Sequence, residues 1–178
     1  MSGRLTLRHP LHGSRVTLRP PCCEEMPFIR TLWADEETMR PLGGPVTLTD
    51  EQAECWFTRM IDPGDEHNLY CLIFDEQNTP IGEVSFHRMD WGTMTADFNI
   101  KIIASRRRQG YGNEAMRLLL DYFFYPVGGQ LMLDDLALNN LSGQAVLRRF
   151  GFEHDPSIKE HYRMFLTREK FRQLYPGK

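Results

Sequence analysis

The sequence predicts a mixed α/β fold in which helices flank one central sheet. Segments whose apolar residues alternate with a period of two lie between segments whose apolar residues recur at helical spacing. Glycines and prolines separate these segments, and no internal repeat interrupts their order. With 178 residues, of which 41% are hydrophobic, the chain is long enough for one domain with a sizeable core.

The first third of the chain is expected to hold a tail, one strand and two helices. Residues 1–13 are interpreted as an N-terminal tail because glycine and proline interrupt any regular pattern, which leaves residues 14–178 as a single domain. An alternating pattern predicts a strand over 14–19, which Pro20-Pro21 ends. Helical spacing predicts a helix over 24–39 and a second one that begins at Thr49 or Asp50 and stops at Pro63-Gly64.

The remaining two thirds of the chain are rich in strands. A polar turn at 76–79 joins two alternating segments and predicts a hairpin. The predicted elements are strands at 69–75, 80–89 and 95–103, a helix at 113–124, a strand at 130–138, a helix at 142–150, a strand at 162–166 and a short closing helix at 168–175. The order is therefore β-α-α-β-β-β-α-β-α-β before the closing helix.

Composition excludes several classes of function. A net charge of −3 argues against a dedicated nucleic-acid binder, whose surface is basic overall. No segment approaches the ~20 apolar residues that a membrane helix needs, and residues 1–20 lack the apolar core of a signal peptide. The cysteines, at 22, 23, 55 and 71, have neither metal-ligand spacing nor a disulfide framework. We therefore expect a cytoplasmic protein with no metal, no membrane and no nucleic-acid partner.

The segment Arg106-Arg107-Arg108-Gln109-Gly110-Tyr111-Gly112-Asn113 carries the strongest functional signal. It follows a predicted strand and opens a predicted amphipathic helix, so unpaired N–H groups and the positive end of the helix dipole meet there. The two glycines let the backbone curl closely around a ligand, and arginines bind phosphate oxygens. This order predicts a site for a phosphorylated ligand.

Two other phosphate motifs do not fit these residues. A dinucleotide-binding fingerprint needs a third glycine where this chain has Ala115, and its acidic residue is matched only roughly by Asp134 or Asp135. A Walker A loop needs Gly-Lys-Ser/Thr, which is absent from the sequence.

The segment Arg107–Gly112 resembles the coenzyme loop Arg/Gln-x-x-Gly-x-Gly/Ala of the GNAT superfamily of acetyl-coenzyme A-dependent N-acetyltransferases. The resemblance extends further. Residues 96–102 resemble the family's pantetheine-binding strand, with Asp97 where Glu is usual. Asn140 followed by residues 146–152 resembles the family's Asn and the helix that ends in Gly-Phe. Residues 14–20 resemble the first strand of the RimJ/RimL branch, the ribosomal-protein N-terminal acetyltransferases.

The resemblance implies a central, mostly antiparallel sheet that is splayed at an acetyl-coenzyme A site and flanked by helices. It implies direct transfer of acetyl to a primary amine in a ternary complex, with acetyl-coenzyme A as cosubstrate. The backbone of the loop is expected to hold the pyrophosphate, and the strand is expected to pair with pantetheine. The implied coenzyme-binding residues are Asn99, Ile100, Lys101, Ile102, Arg107, Arg108, Gln109, Gly110, Tyr111, Gly112, Asn113 and Asn140.

Two carboxylates are candidates for the general base. Asp97 stands at the commonly acidic position of the family, and Glu83 on the neighbouring hairpin strand is the alternative, although a structural or substrate-facing role is favoured for Glu83. Strand alternation puts Asp97 on the same face as Lys101, so an Asp97 that is simply ion-paired with Lys101 or an arginine is an equal alternative. His87 is expected to be a hydrogen-bonded or surface histidine.

The position that often carries a catalytic Tyr in the family is Leu147 here. This leaves the proton donor for the departing thiolate undefined, although a thiol pKa of about 8.5 makes thiolate a tolerable leaving group. Gly143 replaces the usual small Ala or Ser and is expected to loosen the start of its helix.

The identity of the amine is not encoded in these motifs. A protein N-terminus and a small molecule such as a polyamine, an aminoglycoside or an amino-acid derivative are all compatible with them. Trp33 and Trp56 lie on the two early helices, which flank the acceptor site in this family. A homodimer is a further expectation, and a catalytically silent acyl-coenzyme A sensor on the same fold is the alternative function.

Overall fold

The computed structural model describes Leu5 and residues 7–176, and within them it places one 8-stranded sheet at the centre. The strands are β1 (Leu11–His12), β2 (Thr17–Arg19), β3 (Leu69–Phe74), β4 (Pro80–Asp90), β5 (Thr95–Ile102), β6 (Leu131–Leu136), β7 (Glu153–His154) and β8 (Tyr162–Thr167). Their order is β1-β2-β3-β4-β5-β6-β8-β7, and every neighbouring pair is antiparallel except β5 with β6. The predicted mixed α/β fold with a mostly antiparallel sheet is confirmed.

Helices cover both faces of this sheet. They are α1 (Met26–Ala34), α2 (Glu36–Met39), α3 (Asp50–Met60), α4 (Tyr111–Tyr122), α5 (Leu141–Phe150) and α6 (Arg168–Leu174). None of the helices in the described residues is long and apolar enough to cross a membrane.

The apolar side chains of the sheet divide between two cores because successive strand residues point to opposite faces. On one face, here called the α4 face, residues such as Ile73, Phe86 and Met132 pack with α4, α5 and α6. On the other, the α1 face, Tyr70 and Leu72 pack with α1 and α3. The core on the α1 face is the smaller of the two, so polar side chains also occupy that face.

The sheet is splayed between β5 and β6. The two parallel strands pair only where Thr95–Asp97 face Leu131–Leu133. Beyond that point β5 remains bonded to β4 as far as Ile102, while β6 remains bonded to β8 as far as Leu136. A cleft therefore opens between residues 98–102 of β5 and residues 134–136 of β6, as the resemblance implies.

The predicted helix over 24–39 is not continuous. A 3-10 turn at Cys23–Glu25 leads into α1, and the chain breaks at Asp35, whose backbone is extended. The Asp35 carboxylate accepts a hydrogen bond from the N–H of Thr38 and so caps α2. The prediction was wrong here because helical spacing of apolar residues continued across a residue that starts a new helix.

Part of the segment predicted as a tail is packed into the fold. Leu5 and Leu7 are buried in the core on the α4 face, and β1 pairs with β2. The carboxylate of Glu114 on α4 then accepts hydrogen bonds from the N–H groups of Ser14 and Arg15. Among the described residues, packed chain therefore lies on both sides of residue 13. That residues 14–178 form a single domain stays a prediction.

Gly143 tightens the start of α5, contrary to expectation. Asn140 caps this helix by accepting a hydrogen bond from the N–H of Gly143 at 3.0 Å. A Cβ on Gly143 would stand 2.7 Å from both Nδ2 of Asn140 and Cδ2 of Leu136. The missing side chain therefore lets the cap and a buried strand residue approach the helix.

Replacing Gly143 with Ala tests this packing. Helix propensity alone predicts a gain in stability of about 1 kcal/mol. We expect a net loss of about 1 kcal/mol instead, because moving Asn140 away from the added methyl weakens the cap and crowds Leu136. Urea unfolding measures the change. Val146→Ala, at an exposed position of the same helix, is the control and should be neutral or slightly stabilising. A more stable Gly143→Ala protein would contradict the packing.

Candidate functional site

The loop between β5 and α4 presents a run of free backbone donors. Arg108 and Gly110 both adopt positive φ, at 60° and 92°, and this curls the chain before the helix. In the part of the chain that the structure describes, the backbone N–H groups from Arg108 to Asn113 have no acceptor. They lie at the first turn of α4, where the helix dipole adds positive potential. This is the geometry of an anion site.

Arg107 is a structural member of this loop. Its Nε donates to the carbonyl of Ile102 at 3.0 Å and its Nη2 to the carbonyl of Thr38 at 2.6 Å. Burial lowers the pKa of its guanidinium. The side chain thus ties the loop to the end of β5 and to α2.

Other charged groups brace the same loop. Arg106 pairs with the buried carboxylate of Asp75 at the end of β3. Arg15 donates to Glu76 and to the carbonyl of Gln109, and its guanidinium lies 4.3 Å from the ring centroid of Tyr111. Among the three consecutive arginines, Arg108 is the one whose side chain bonds to nothing within the described residues.

The loop lies against the open part of β5. A Cβ on Gly112 would stand 3.6 Å from Cγ1 of Ile102 and 4.0 Å from Cδ1 of Ile100. In an antiparallel pair every second residue directs its N–H and C=O away from the partner strand. Between Asn99 and Ile102 these groups face the cleft, so the anion site and a row of backbone hydrogen-bonding groups are continuous.

Asn140 stands across the cleft, after β6, and is buried. Its Oδ1 serves the α5 cap, where it also accepts from the hydroxyl of Ser142. Its Nδ2 donates to nothing within the described residues and is the one part of this side chain open to a ligand.

Glu83 lies fully buried on the α1 face. Its carboxylate accepts hydrogen bonds from Nε1 of Trp33 at 2.7 Å and from the hydroxyl of Tyr70, and it pairs with Lys101. Trp56 packs edge-on against both aromatic rings, with centroids 5.1 Å from Trp33 and 4.8 Å from Tyr70. Three donors thus hold the Glu83 carboxylate in place.

Asp97 lies at the point where β5 and β6 part, on the same face as Glu83. It pairs with Arg88, whose side chain is 76% exposed. An exposed pair of this kind is weak and opens readily. The expected ion pair therefore exists, with Arg88 and not Lys101 as its partner.

His87 neighbours Asp97 on β4 and hydrogen-bonds the hydroxyl of Ser85 at 2.8 Å. Burial, together with the positive charge of Lys101, lowers the pKa of His87 to about 4. The imidazole is therefore neutral at neutral pH.

Two positions near the cleft remain. Leu147 is buried in the core of the α4 face and offers no proton donor. Asp134, the first residue of β6 beyond the pairing with β5, is partly buried and has no hydrogen-bond partner among the described residues. The sequence marked Asp134 only as a poor match to another motif, because strand alternation alone does not show what lies beside it.

The chain matches one family model, the acetyltransferase (GNAT) domain, over residues 15–153. No curated protein matches it in sequence. Among solved structures, spermidine N-acetyltransferase from Vibrio cholerae, in complex with CoA and spermine, is similar with a TM-score of 0.78 and 20% identity, covering 89% of this chain and 99% of that one. A putative acetyltransferase is similar with a TM-score of 0.76 and 16% identity, covering 95% of this chain and 91% of that one.

The adjacent arginines 107 and 108 are predicted to behave differently. Arg107→Ala removes two hydrogen bonds from a partly buried cation and leaves their carbonyls without a donor, which costs about 2 kcal/mol of unfolding free energy. Arg108→Ala removes no internal contact, so its effect on stability is within about 0.5 kcal/mol. Thermal or urea unfolding of both variants measures this. Equal stability of the two proteins would contradict the structural role of Arg107.

Proposed function

The chain belongs to the GNAT acetyltransferase family and is an N-acetyltransferase, and from this premise we propose that it transfers acetyl from acetyl-coenzyme A directly to a primary amine in a ternary complex. The observation that carries the proposal is the continuity of two sets of free backbone groups. The N–H groups of residues 108–113 lead directly to the open edge of β5.

The first set fits a pyrophosphate. Positive φ at Arg108 and Gly110 gives the loop its curl, and the N–H groups lie at the positive end of α4. Arg108 adds a free guanidinium at the same place. In this proposal Gln109, Tyr111, Gly112 and Asn113 contribute through the backbone, while Arg107 supports the loop from behind.

The second set fits the pantetheine arm, whose amides pair with a strand edge. Asn99, Ile100, Lys101 and Ile102 offer that edge, and Nδ2 of Asn140 offers a further donor from the other side of the cleft. A backbone N–H at the open edge then faces the thioester carbonyl and stabilises the negative charge that develops on its oxygen.

The acceptor is proposed to approach from the α1 face. The aromatic group of Trp33, Trp56 and Tyr70 lies there beside Glu83, and this combination already holds one ammonium, that of Lys101, 5.6 Å from the Trp33 ring centroid. A small cationic amine is therefore the first candidate, and the similar Vibrio enzyme is named for one. A protein N-terminus, which the RimJ/RimL resemblance favours, is the second.

Direct transfer is proposed because three of the four cysteines are poor nucleophiles. Hydrogen bonds with Glu24 raise the pKa of the exposed thiols of Cys22 and Cys23, and burial raises the pKa of Cys71 far above its usual value. An acyl-enzyme on these residues is disfavoured. The expected cytoplasmic location and homodimer stay predictions.

Asp97 is proposed as the general base. It stands at the closed end of the cleft on the acceptor side, and its ion-pair partner Arg88 is exposed. Glu83, held by three donors, keeps Trp33 and Lys101 in position. The proton of the amine passes to Asp97 directly or through one water.

The donor site is tested by calorimetry with acetyl-coenzyme A. We expect Arg108→Ala to weaken binding about tenfold through loss of one charge-assisted contact, and Gly112→Val to abolish it by filling the gap between α4 and β5. Arg108→Ala should unfold like the parent, since its side chain bonds to nothing within the described residues, and circular dichroism checks that Gly112→Val is folded. If both variants bind like the parent, the loop is not the donor site.

The reaction itself is tested by thiol release from acetyl-coenzyme A with a panel of amines: spermidine, an aminoglycoside, an amino-acid amide and a peptide with a free N-terminus. Thiol release with one or more of them is the expected result. Tight binding of acetyl-coenzyme A with no thiol release from any amine would instead establish the silent sensor, for which Leu147 in place of Tyr is the argument.

The base is tested with Asp97→Asn. We expect turnover to fall about 10²-fold and its rise with pH to flatten, because proton removal then depends on solvent. Asp90→Asn is the matched control, since Asp90 lies at the end of the same hairpin and, within the described residues, accepts hydrogen bonds only from its own turn. A pH profile for Asp97→Asn that matches the parent would clear Asp97 of this role.

A further inference from the structure

The departing thiolate needs a proton, and the family's usual donor position is occupied by Leu147, which has none to give. A replacement donor has to lie at the closed end of the cleft. If the pyrophosphate lies at residues 108–113 and the arm follows β5, the thioester reaches the point where β5 and β6 begin to pair. This step rests on the proposed function.

Asp134 is the residue of β6 at that point. Leu133 is the last residue of β6 paired with β5, so Asp134 is the first one facing the open cleft. Strand alternation puts it on the α4 face with Met132 and Leu136, and both of these belong to the same core as Leu147. Asp134 therefore lies on the same side of the sheet as Leu147.

The Asp134 carboxyl has no internal partner. It makes no hydrogen bond or ion pair within the described residues, unlike Asp135 beside it, which Arg163 holds through two hydrogen bonds of 2.8 and 2.7 Å. A partly buried carboxyl without a partner is expensive to ionise. The free-energy cost of ionisation keeps such a carboxyl protonated until an anion, here the departing thiolate, comes within reach of its proton.

The surrounding charges act in the same direction. Burial first, then the negative charges of Asp135 and Asp97, raises the pKa of Asp134 to about 8, with Lys101 opposing them. On β8, the residue paired with Asp134 is Met164, which is uncharged. A donor of this strength is closely matched to a thiolate, whose conjugate acid has a pKa of about 8.5.

We propose that Asp134 is the general acid that protonates the thiolate of coenzyme A as it leaves. The amine nitrogen forms a bond to the acetyl carbon while the carbon–sulfur bond breaks. The electron pair of that bond stays on sulfur, which takes the proton of the Asp134 carboxyl, and the proton of the amine goes to Asp97. Once the products have left, Asp97 releases its proton to solvent and Asp134 regains one.

The test compares Asp134→Asn with Asp135→Asn, using acetyl-coenzyme A and each amine of the panel that the parent acetylates. Asn keeps the shape of Asp but donates no acid proton. We expect kcat of Asp134→Asn to fall about tenfold or more, with an unchanged calorimetric affinity for coenzyme A. The parent's kcat should decline as pH rises through 8, and this decline should vanish in Asp134→Asn. Asp135→Asn should keep the rate and the decline, with the decline displaced to lower pH because one of the negative charges that raise the pKa of Asp134 is gone.

Stability against pH gives a readout that does not depend on turnover. The folded-state pKa of Asp134 is raised, so the folded parent binds a proton that the unfolded chain has released, and its stability falls as pH rises from about 4 to 8. Asp134→Asn lacks this loss, so its midpoint of unfolding should exceed the parent's by more at pH 8 than at pH 5.

The outcomes separate the two hypotheses. Parental kcat and an unchanged pH decline in Asp134→Asn would overturn the acid role while leaving the acetyltransferase proposal intact. Absence of thiol release with every amine would overturn both, even if the stability shift shows that the carboxyl is protonated. A reduced kcat with the pH decline retained would assign Asp134 a purely structural effect and also overturn the acid role.

Discussion

The short pairing of β5 with β6 is the constraint on which the rest of the structure depends. A parallel pair that ends after three residues leaves one edge of each strand without a partner. Each strand stays in place because its other edge is fully paired, β5 with β4 and β6 with β8. The sheet therefore keeps a permanent row of free backbone groups in its interior, where they are protected from pairing with another chain.

The two faces of the sheet have different chemical characters at this opening. The α4 face brings the loop donors and Asp134 to the cleft, while the α1 face brings Glu83, Asp97 and their partners. A donor and an acceptor can thus enter from opposite sides and meet only at the point where the strands part. This arrangement suits a reaction with no covalent enzyme intermediate, since neither substrate has to leave before the other arrives.

The sequence predicted the elements and the loop well where the signal is local. Glycines at 110 and 112, placed between a strand and a helix, specify a phosphate-type turn whatever surrounds them. The partner of Arg107, Thr38, lies 69 residues away, so its bracing role was invisible in the motif.

The strands β1 and β7 have two residues each and produce no periodicity. The break at Asp35 did have a signal, an acidic cap followed by Glu36 and Glu37, but the apolar spacing outweighed it. The position of Asp134 at the open cleft could not be predicted, because it depends on the order of the strands in the sheet.

Arg106 and Arg107 are both bonded within the fold, and this affects how binding at the loop depends on salt. A run of three arginines suggests long-range attraction that ions would screen within about 8–10 Å at physiological ionic strength. With Arg106 neutralised by Asp75 and Arg107 held against two carbonyls, attraction at the loop comes mainly from one side chain and from backbone dipoles. Short-range dipoles of this kind are little affected by dissolved ions. The loop is therefore suited to recognise its ligand by shape and contact at high ionic strength, where a purely electrostatic attraction would fade.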